Sequence, residues 1–131
     1  MIDDSELDQF ILEKLMGKYN LFRHKQFCND AESAINEIEK NLCDHQKLPD
    51  VIFLDLIMPH FDGFDFLDRF SKLYPVMNKI IDIFIITSSI DPRDRKKSEK
   101  YHFVKKVLIK PLNCGILANI YARYKPGFML N

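Results

Sequence analysis

Five residues of this chain carry groups that could do chemistry together: Asp3, Asp4, Asp55, Thr87 and Lys110. Asp55 ends the apolar run Val51-Ile52-Phe53-Leu54 and is followed by Met58-Pro59 and Asp62-Gly63. Thr87 ends the run Ile83–Ile86, Lys110-Pro111 ends the stretch Phe103–Ile109, and Asp3-Asp4 follows Met1-Ile2. Three carboxylates brought together repel one another unless a cation intervenes. Mg²⁺ suits them, because it takes hard oxygen ligands and combines one or two carboxylates with phosphate oxygens and water. Three carboxylates against one divalent ion and one ammonium cancel in charge, so the site could accept a phosphoryl group. The Asp55 carboxylate is then the nucleophile of an in-line transfer. The metal, the Lys110 ammonium and the Thr87 hydroxyl share the phosphoryl oxygens.

Taken singly, each residue has a plainer reading. An Asp after a strand is commonly a turn residue, and Lys-Pro commonly stops a strand. A Thr hydroxyl at a turn bonds backbone, and acids ahead of a helix serve its dipole. Their joint position, each at the carboxyl end of an apolar run, favours the shared role.

That role needs elements that gather them. Leu7, Phe10, Ile11 and Leu15 have helical spacing, which predicts a helix over 5–17. Residues 21–28 read as a short, weakly patterned strand. Asn29 with Glu32 resembles a capping box, ahead of a stripe of Ala31, Ala34, Ile35, Ile38 and Leu42. Four apolar residues before Asp55 read as a strand buried on both faces, over 51–55. Asp62 is a plausible cap for a third helix carrying Phe66, Leu67, Phe70 and Leu73, which Pro75 ends. Residues 80–86 form the strongest strand signal. Asp91-Pro92 starts a charged helix over 93–100, residues 103–109 a last strand, and Asn113 caps a last helix. Strands alternating with helices predict an α/β fold with a parallel sheet covered on both sides. In such a sheet all strand carboxyl ends share one edge, where open α/β sheets keep their chemistry.

The 131 residues fit one domain, 1–131, with a proper core. With 47% apolar and 29% charged residues the composition is that of an ordinary globular domain. Nineteen basic residues balance nineteen acidic ones, so charge gives no reason to bind nucleic acid or an acidic membrane. No apolar run approaches bilayer length and no leader is seen, so a cytoplasmic protein is expected. Cys28, Cys43 and Cys114 are odd in number and lack a CxxC pair, which predicts reduced thiols rather than disulfides or zinc.

The motifs Ile2-Asp3-Asp4, Phe53–Pro59 with Asp62-Gly63, Ile86-Thr87-Ser88 and Ile109-Lys110-Pro111 stand in order along the chain. In them the chain resembles the receiver domain of two-component response regulators, over essentially its whole length. The resemblance implies a flavodoxin-like, doubly wound parallel sheet of strand order 2-1-3-4-5. It implies that Asp55 is the phosphoacceptor and that Asp3 and Asp4, with Asp55 and the backbone carbonyl of Ile57, hold Mg²⁺. Thr87 is then the switch hydroxyl and Lys110 the phosphate-binding lysine. The implied phosphodonor is a phosphohistidine on a sensor histidine kinase or a histidine phosphotransfer protein. A downstream protein partner follows too, and the basic stretch Arg93–Lys106 is either a solvated face or a surface for an acidic partner.

Three departures bear on these expectations. Only Met1 and Ile2 stand where the central first strand belongs, against a usual ~5–6 residues. That truncation leaves the second strand without a neighbour and predicts unpaired backbone on the third. It also predicts a chain start further upstream, or repair by swapping or dimerisation, and it weakens the metal role of Asp3 and Asp4. Val107 stands where the family usually carries Tyr or Phe, so an aromatic swing is excluded and switching falls to Thr87 and the loop behind it. Ile57, being apolar, offers no hydrogen bond to an attacking water, which implies slow loss of phosphate. The alternative reading is a receiver-like interaction module that is not phosphorylated. A flavin or nucleotide binder is disfavoured, since the four glycines form no phosphate-cradling loop. An aspartyl phosphatase would want an acid where Ile57 stands.

Overall fold

The structure is a computed structural model that describes residues 1–89 and 91–124; Ile90 and the 125–131 end of the expected domain lie outside the described residues. Among the described residues five α-helices and three strands follow one another along the chain. They are α1 (Glu6–Lys18), α2 (Ala31–Lys40), β1 (Val51–Leu54), α3 (Gly63–Leu73), β2 (Asp82–Thr87), α4 (Pro92–Glu99), β3 (Val104–Ile109) and α5 (Cys114–Tyr121). The strands pair in parallel in the order β1-β2-β3. Two parallel bridges extend the sheet past β1, from Leu54 to Ile2 and from Ile2 to Cys28.

The expected strand over 21–28 is thus reduced to its last residue. Asn20 and Phe22 stand at φ 53° and 52°, in the left-handed region, so the backbone cannot run extended there. The truncated first strand is likewise one bridge residue, Ile2, but it lies between Cys28 and β1 as the expected order requires. It also corrects the expected pairing deficit. Ile2 N–H donates to the Phe53 carbonyl at 2.8 Å, and Asp55 N–H donates to the Ile2 carbonyl at 2.9 Å. On the other side Asp3 N–H donates to the Cys28 carbonyl at 3.1 Å and Cys28 N–H to the Met1 carbonyl at 2.8 Å. Parallel ladders slant, so one residue can both donate and accept across a neighbour. These groups at the end of β1 therefore find partners within the chain.

Side-chain alternation in β2 divides the core. Ile83 and Ile85 face one way, onto Ile35, Phe66, Leu67 and Phe70 of α2 and α3. Phe84 and Ile86 face the other way, onto Leu12, Met16, Leu117 and Ile120 of α1 and α5. Helices on both faces bury the middle strand from Ile83 onward, which is why that stretch reads as an unbroken apolar run. No helix among the described residues is long and apolar enough to cross a membrane.

Two local expectations shift. The cap of α2 is Asp30, whose side chain accepts from Ser33 N–H at 2.7 Å, one residue after the expected Asn29. Both residue types cap well, and Asn29 instead accepts from the Gln9 side chain at 3.0 Å. In α1 the buried residues are Leu12 and Met16, while Leu7, Phe10 and Ile11 are exposed. Apolar residues lie all round this helix, so spacing alone could not choose the inward face. Pro75 does end α3, inside a short 3₁₀ turn over Tyr74–Val76.

Candidate functional site

The carboxyl edge of the sheet gathers four of the five expected residues into one cluster. Donor oxygens of Asp3, Asp4 and Asp55 all lie within 4.8 Å of one another. Asp3 and Asp55 are buried and Asp4 is exposed. Lys110, just beyond β3, brings its ammonium to 2.9 Å from Asp3 Oδ2 and 3.7 Å from Asp55 Oδ2. Its own N–H donates to the Thr87 carbonyl at 2.9 Å, which ties the ends of β2 and β3 together. Thr87 is buried, and its Oγ1 accepts from Ser89 N–H at 3.0 Å.

Asp55 is positioned from both sides. Ile2 holds its backbone, and Ile57 N–H donates to its Oδ1 at 3.4 Å. Behind it α3 begins in close contact. A Cβ on Gly63 would stand 2.6 Å from the Asp55 carbonyl oxygen and 2.7 Å from Leu56 Cα. Only glycine permits that approach. Gly63 N–H uses it to donate to the Leu56 carbonyl at 3.0 Å. The Asp62 cap completes a reciprocal box, with Asp65 N–H donating to Asp62 Oδ1 and Asp62 N–H to Asp65 Oδ2, both at 2.9 Å. The Ile57 side chain is 58% exposed and lies open to solvent.

The acid pair is fixed by its neighbours. Ser5 N–H donates to Asp3 Oδ1 at 2.9 Å. The Gln9 side-chain amide donates to the Asp3 carbonyl at 2.6 Å and the Cys28 carbonyl at 3.0 Å. Gln9 therefore pins the acid pair to the edge of the sheet. Neither it nor Asp8 is marked by the strand-end pattern. Asp8 Oδ2 accepts from Lys110 Nζ at 2.7 Å, its shortest carboxylate contact. The sign that could have found it is its place four residues before the buried Leu12, on the same side of α1. An acid on an inward face needs a partner.

Asp8 also changes the charge balance expected from sequence. Four carboxylates face one ammonium, so three negative charges are in excess. Burial pushes the Asp55 carboxyl up to about 6, and the Asp3 charge adds to this, against the pull of Lys110. Burial works against the Lys110 charge as well. Hydrogen bonds to Asp8 and Asp3 and the charges of Asp55 and Asp3 outweigh it, so its ammonium is held above the ordinary lysine range. The donor set is all hard oxygen, closely spaced, partly open to water and short of positive charge. It fits a small divalent cation.

A cavity of about 230 Å³ lies between Thr87, Val107, Leu56 and the start of α4. In α4 itself only Ser98 is buried, and the Arg93, Arg95, Lys96, Lys97 and Lys100 side chains are exposed.

Comparison with known proteins agrees with this architecture. Over 76 residues the chain is 36% identical to protein-glutamate methylesterase/protein-glutamine glutaminase 3 of Burkholderia thailandensis, a match covering 58% of this chain and 19% of that protein. The chain thus spans about a fifth of the length of that curated relative. A response regulator receiver protein from Dyadobacter fermentans is 32% identical with a TM-score of 0.78, over 95% of this chain and 94% of that one. A two component response regulator from Cytophaga hutchinsonii has the same fold, with a TM-score of 0.78 at 24% identity, over 99% of this chain and 94% of that one. A family model described as the response regulator receiver domain matches residues 1–121. With its acids and lysine gathered on the carboxyl edge of a parallel sheet, the chain belongs to the response regulator receiver domain family.

Proposed function

We propose that this receiver is a phosphoacceptor in a phosphorelay, with Asp55 taking the phosphoryl group. The observation that carries the reading is the convergence of Asp3, Asp4 and Lys110 on a buried Asp55. A carboxylate oxygen of Asp55 attacks the phosphorus of a phosphohistidine on a histidine kinase or phosphotransfer protein. A P–O bond forms as the P–N bond breaks, the bonding pair stays on the ring nitrogen, and the donor, protonated on its other ring nitrogen, leaves as neutral imidazole. Asp3, Asp4, Asp55 and the Ile57 carbonyl would hold Mg²⁺, which when bound supplies positive charge to the phosphoryl oxygens. Lys110 is the resident cation of the site and is within reach of a group on Asp55. The Thr87 hydroxyl, at the neighbouring strand end, is the donor that could follow the added charge into the site. The domain signals in turn by binding a protein partner, and the exposed basic side chains of α4 suit an acidic one.

The test is incubation with acetyl phosphate and Mg²⁺, followed by intact-mass analysis. One phosphate on the wild type and none on Asp55→Asn is the expected result; an unmodified wild type overturns the reading. A receiver-like module that is never phosphorylated is the second reading. Val107 is the feature that favours it, whereas the pairing of Ile2 on both sides supports the phosphoacceptor reading.

A further inference from the structure

The Asp8–Lys110 pair is more than a helix-end ion pair. Asp8 is the third residue of α1, three after the Ser5 cap, and Ser5 Oγ accepts its N–H at 3.2 Å. An acid at that position usually reaches back to the cap N–H, as Asp65 does for Asp62 in α3. In α1 that N–H is already taken, because Ser5 N–H donates to Asp3 Oδ1. The Asp8 carboxylate is left free, and it turns to Lys110 at 2.7 Å. The result is a closed ring of contacts: Asp3 to Ser5, Ser5 to Asp8, Asp8 to Lys110 and Lys110 back to Asp3 at 2.9 Å.

Within that ring the lysine stands closer to Asp3 and Asp8 than to Asp55, 3.7 Å away. The pull on the Asp8 side comes from a carboxylate with 34% exposure in the wall of a cavity of about 330 Å³. Asp8 therefore acts on Lys110 from the solvent side, opposite in effect to a phosphoryl group on Asp55. It also adds one negative charge that an arriving phosphoryl group must approach.

We propose that Asp8 is a positioning residue that draws Lys110 away from Asp55 and restrains the rate at which Asp55 takes up a phosphoryl group. This rests on the reading of Asp55 as the phosphoacceptor. Because Asp8 is partly solvated, its effect is screened and modest, about 3- to 10-fold.

The experiment follows phosphorylation by acetyl phosphate with Mg²⁺, by intact mass against time. Asp8→Asn and Asp8→Ser are each expected to react about 3- to 10-fold faster than the wild type. Asp8→Glu, which restores the charge, brings the rate back toward the wild type. A gain in rate is not what damage to the fold produces, and two neutral variants guard against one that folds badly. A second readout uses metal-free protein and no phosphodonor: acylation of Lys110 by acetic anhydride, which releases acetate, read by peptide mass relative to the other lysines. The neutral variants should label Lys110 several-fold faster. A wild type that is phosphorylated together with neutral variants that are no faster overturns the inference alone. A wild type that takes no phosphate overturns the phosphoacceptor reading, and this inference falls with it.

Discussion

Asp55 holds its charge in a place that penalises it. Its carboxyl is pushed up to about 6 by burial and by Asp3, from an ordinary value of 3.8. The folded state therefore binds this proton more tightly than the unfolded chain does. Stability is lost as pH rises from about 4 through about 6, and the loss is complete above that. Asp55→Asn removes the effect. In metal-free buffer at pH 7.5 it should raise stability by about 1–3 kcal/mol. The gain should shrink toward zero near pH 4. Thermal denaturation across this range checks it, and equal melting temperatures at pH 7.5 would count against the buried-charge account. At this scale the sequence was informative where a residue's position implied its role. Asp3, Asp4, Asp55, Thr87 and Lys110 all sit at strand ends, and the structure brings the acids and the lysine together. Asp8 was hard to read until the inward face of α1 was known, because a first-turn acid looks the same whether it serves the helix dipole or a lysine more than a hundred residues away.

Among the elements, α3 depends on the closest approach. Its first residue, Gly63, packs against the backbone of Asp55 and Leu56 with no room for a methyl group. Gly63→Ala must push the helix start away from the strand end that carries Asp55, the proposed phosphoacceptor. We expect a loss of about 1–3 kcal/mol, the scale of overpacking in a dense interior, and slower phosphorylation of the folded variant. Chemical denaturation with acetyl phosphate kinetics tests both; an unchanged midpoint and rate would refute the tight contact. The α3 motif was readable because Asp62-Gly63 combines a cap with a close-approach residue. The 21–28 stretch was misread because its apolar residues gave a strand-like pattern, whereas left-handed Asn20 and Phe22 set the actual path. In α1 the spacing of Leu7, Phe10, Ile11 and Leu15 is truly helical, but burial follows Leu12 and Met16. Which face turns inward was decided by α5 and the sheet, and local pattern does not contain that.

For the molecule as a whole, the doubly wound layering was legible from alternation, and its two-sided core follows from β2. What the pattern could not convey is how little backbone joins the far edge of the sheet to its body. Among the described residues, Ile2 alone bridges Cys28 on one side and Leu54 on the other. A seam held by so few bonds is expected to open locally long before the β2–β3 ladder does. Amide exchange at Ile2, Cys28 and Asp55 should therefore be much faster than at Ile85 and Ile86. At a free Mg²⁺ concentration about ten times the dissociation constant, protection of those three amides should rise about tenfold, with little change elsewhere. Exchange at these amides that ignores the ion would sink this picture. Asp3 and Asp4 ride directly on that seam, so under the proposed function a cation held there would act as a rivet through the sheet. Charging the site and closing the sheet edge are then one event, visible as backbone protection before any phosphoryl group arrives.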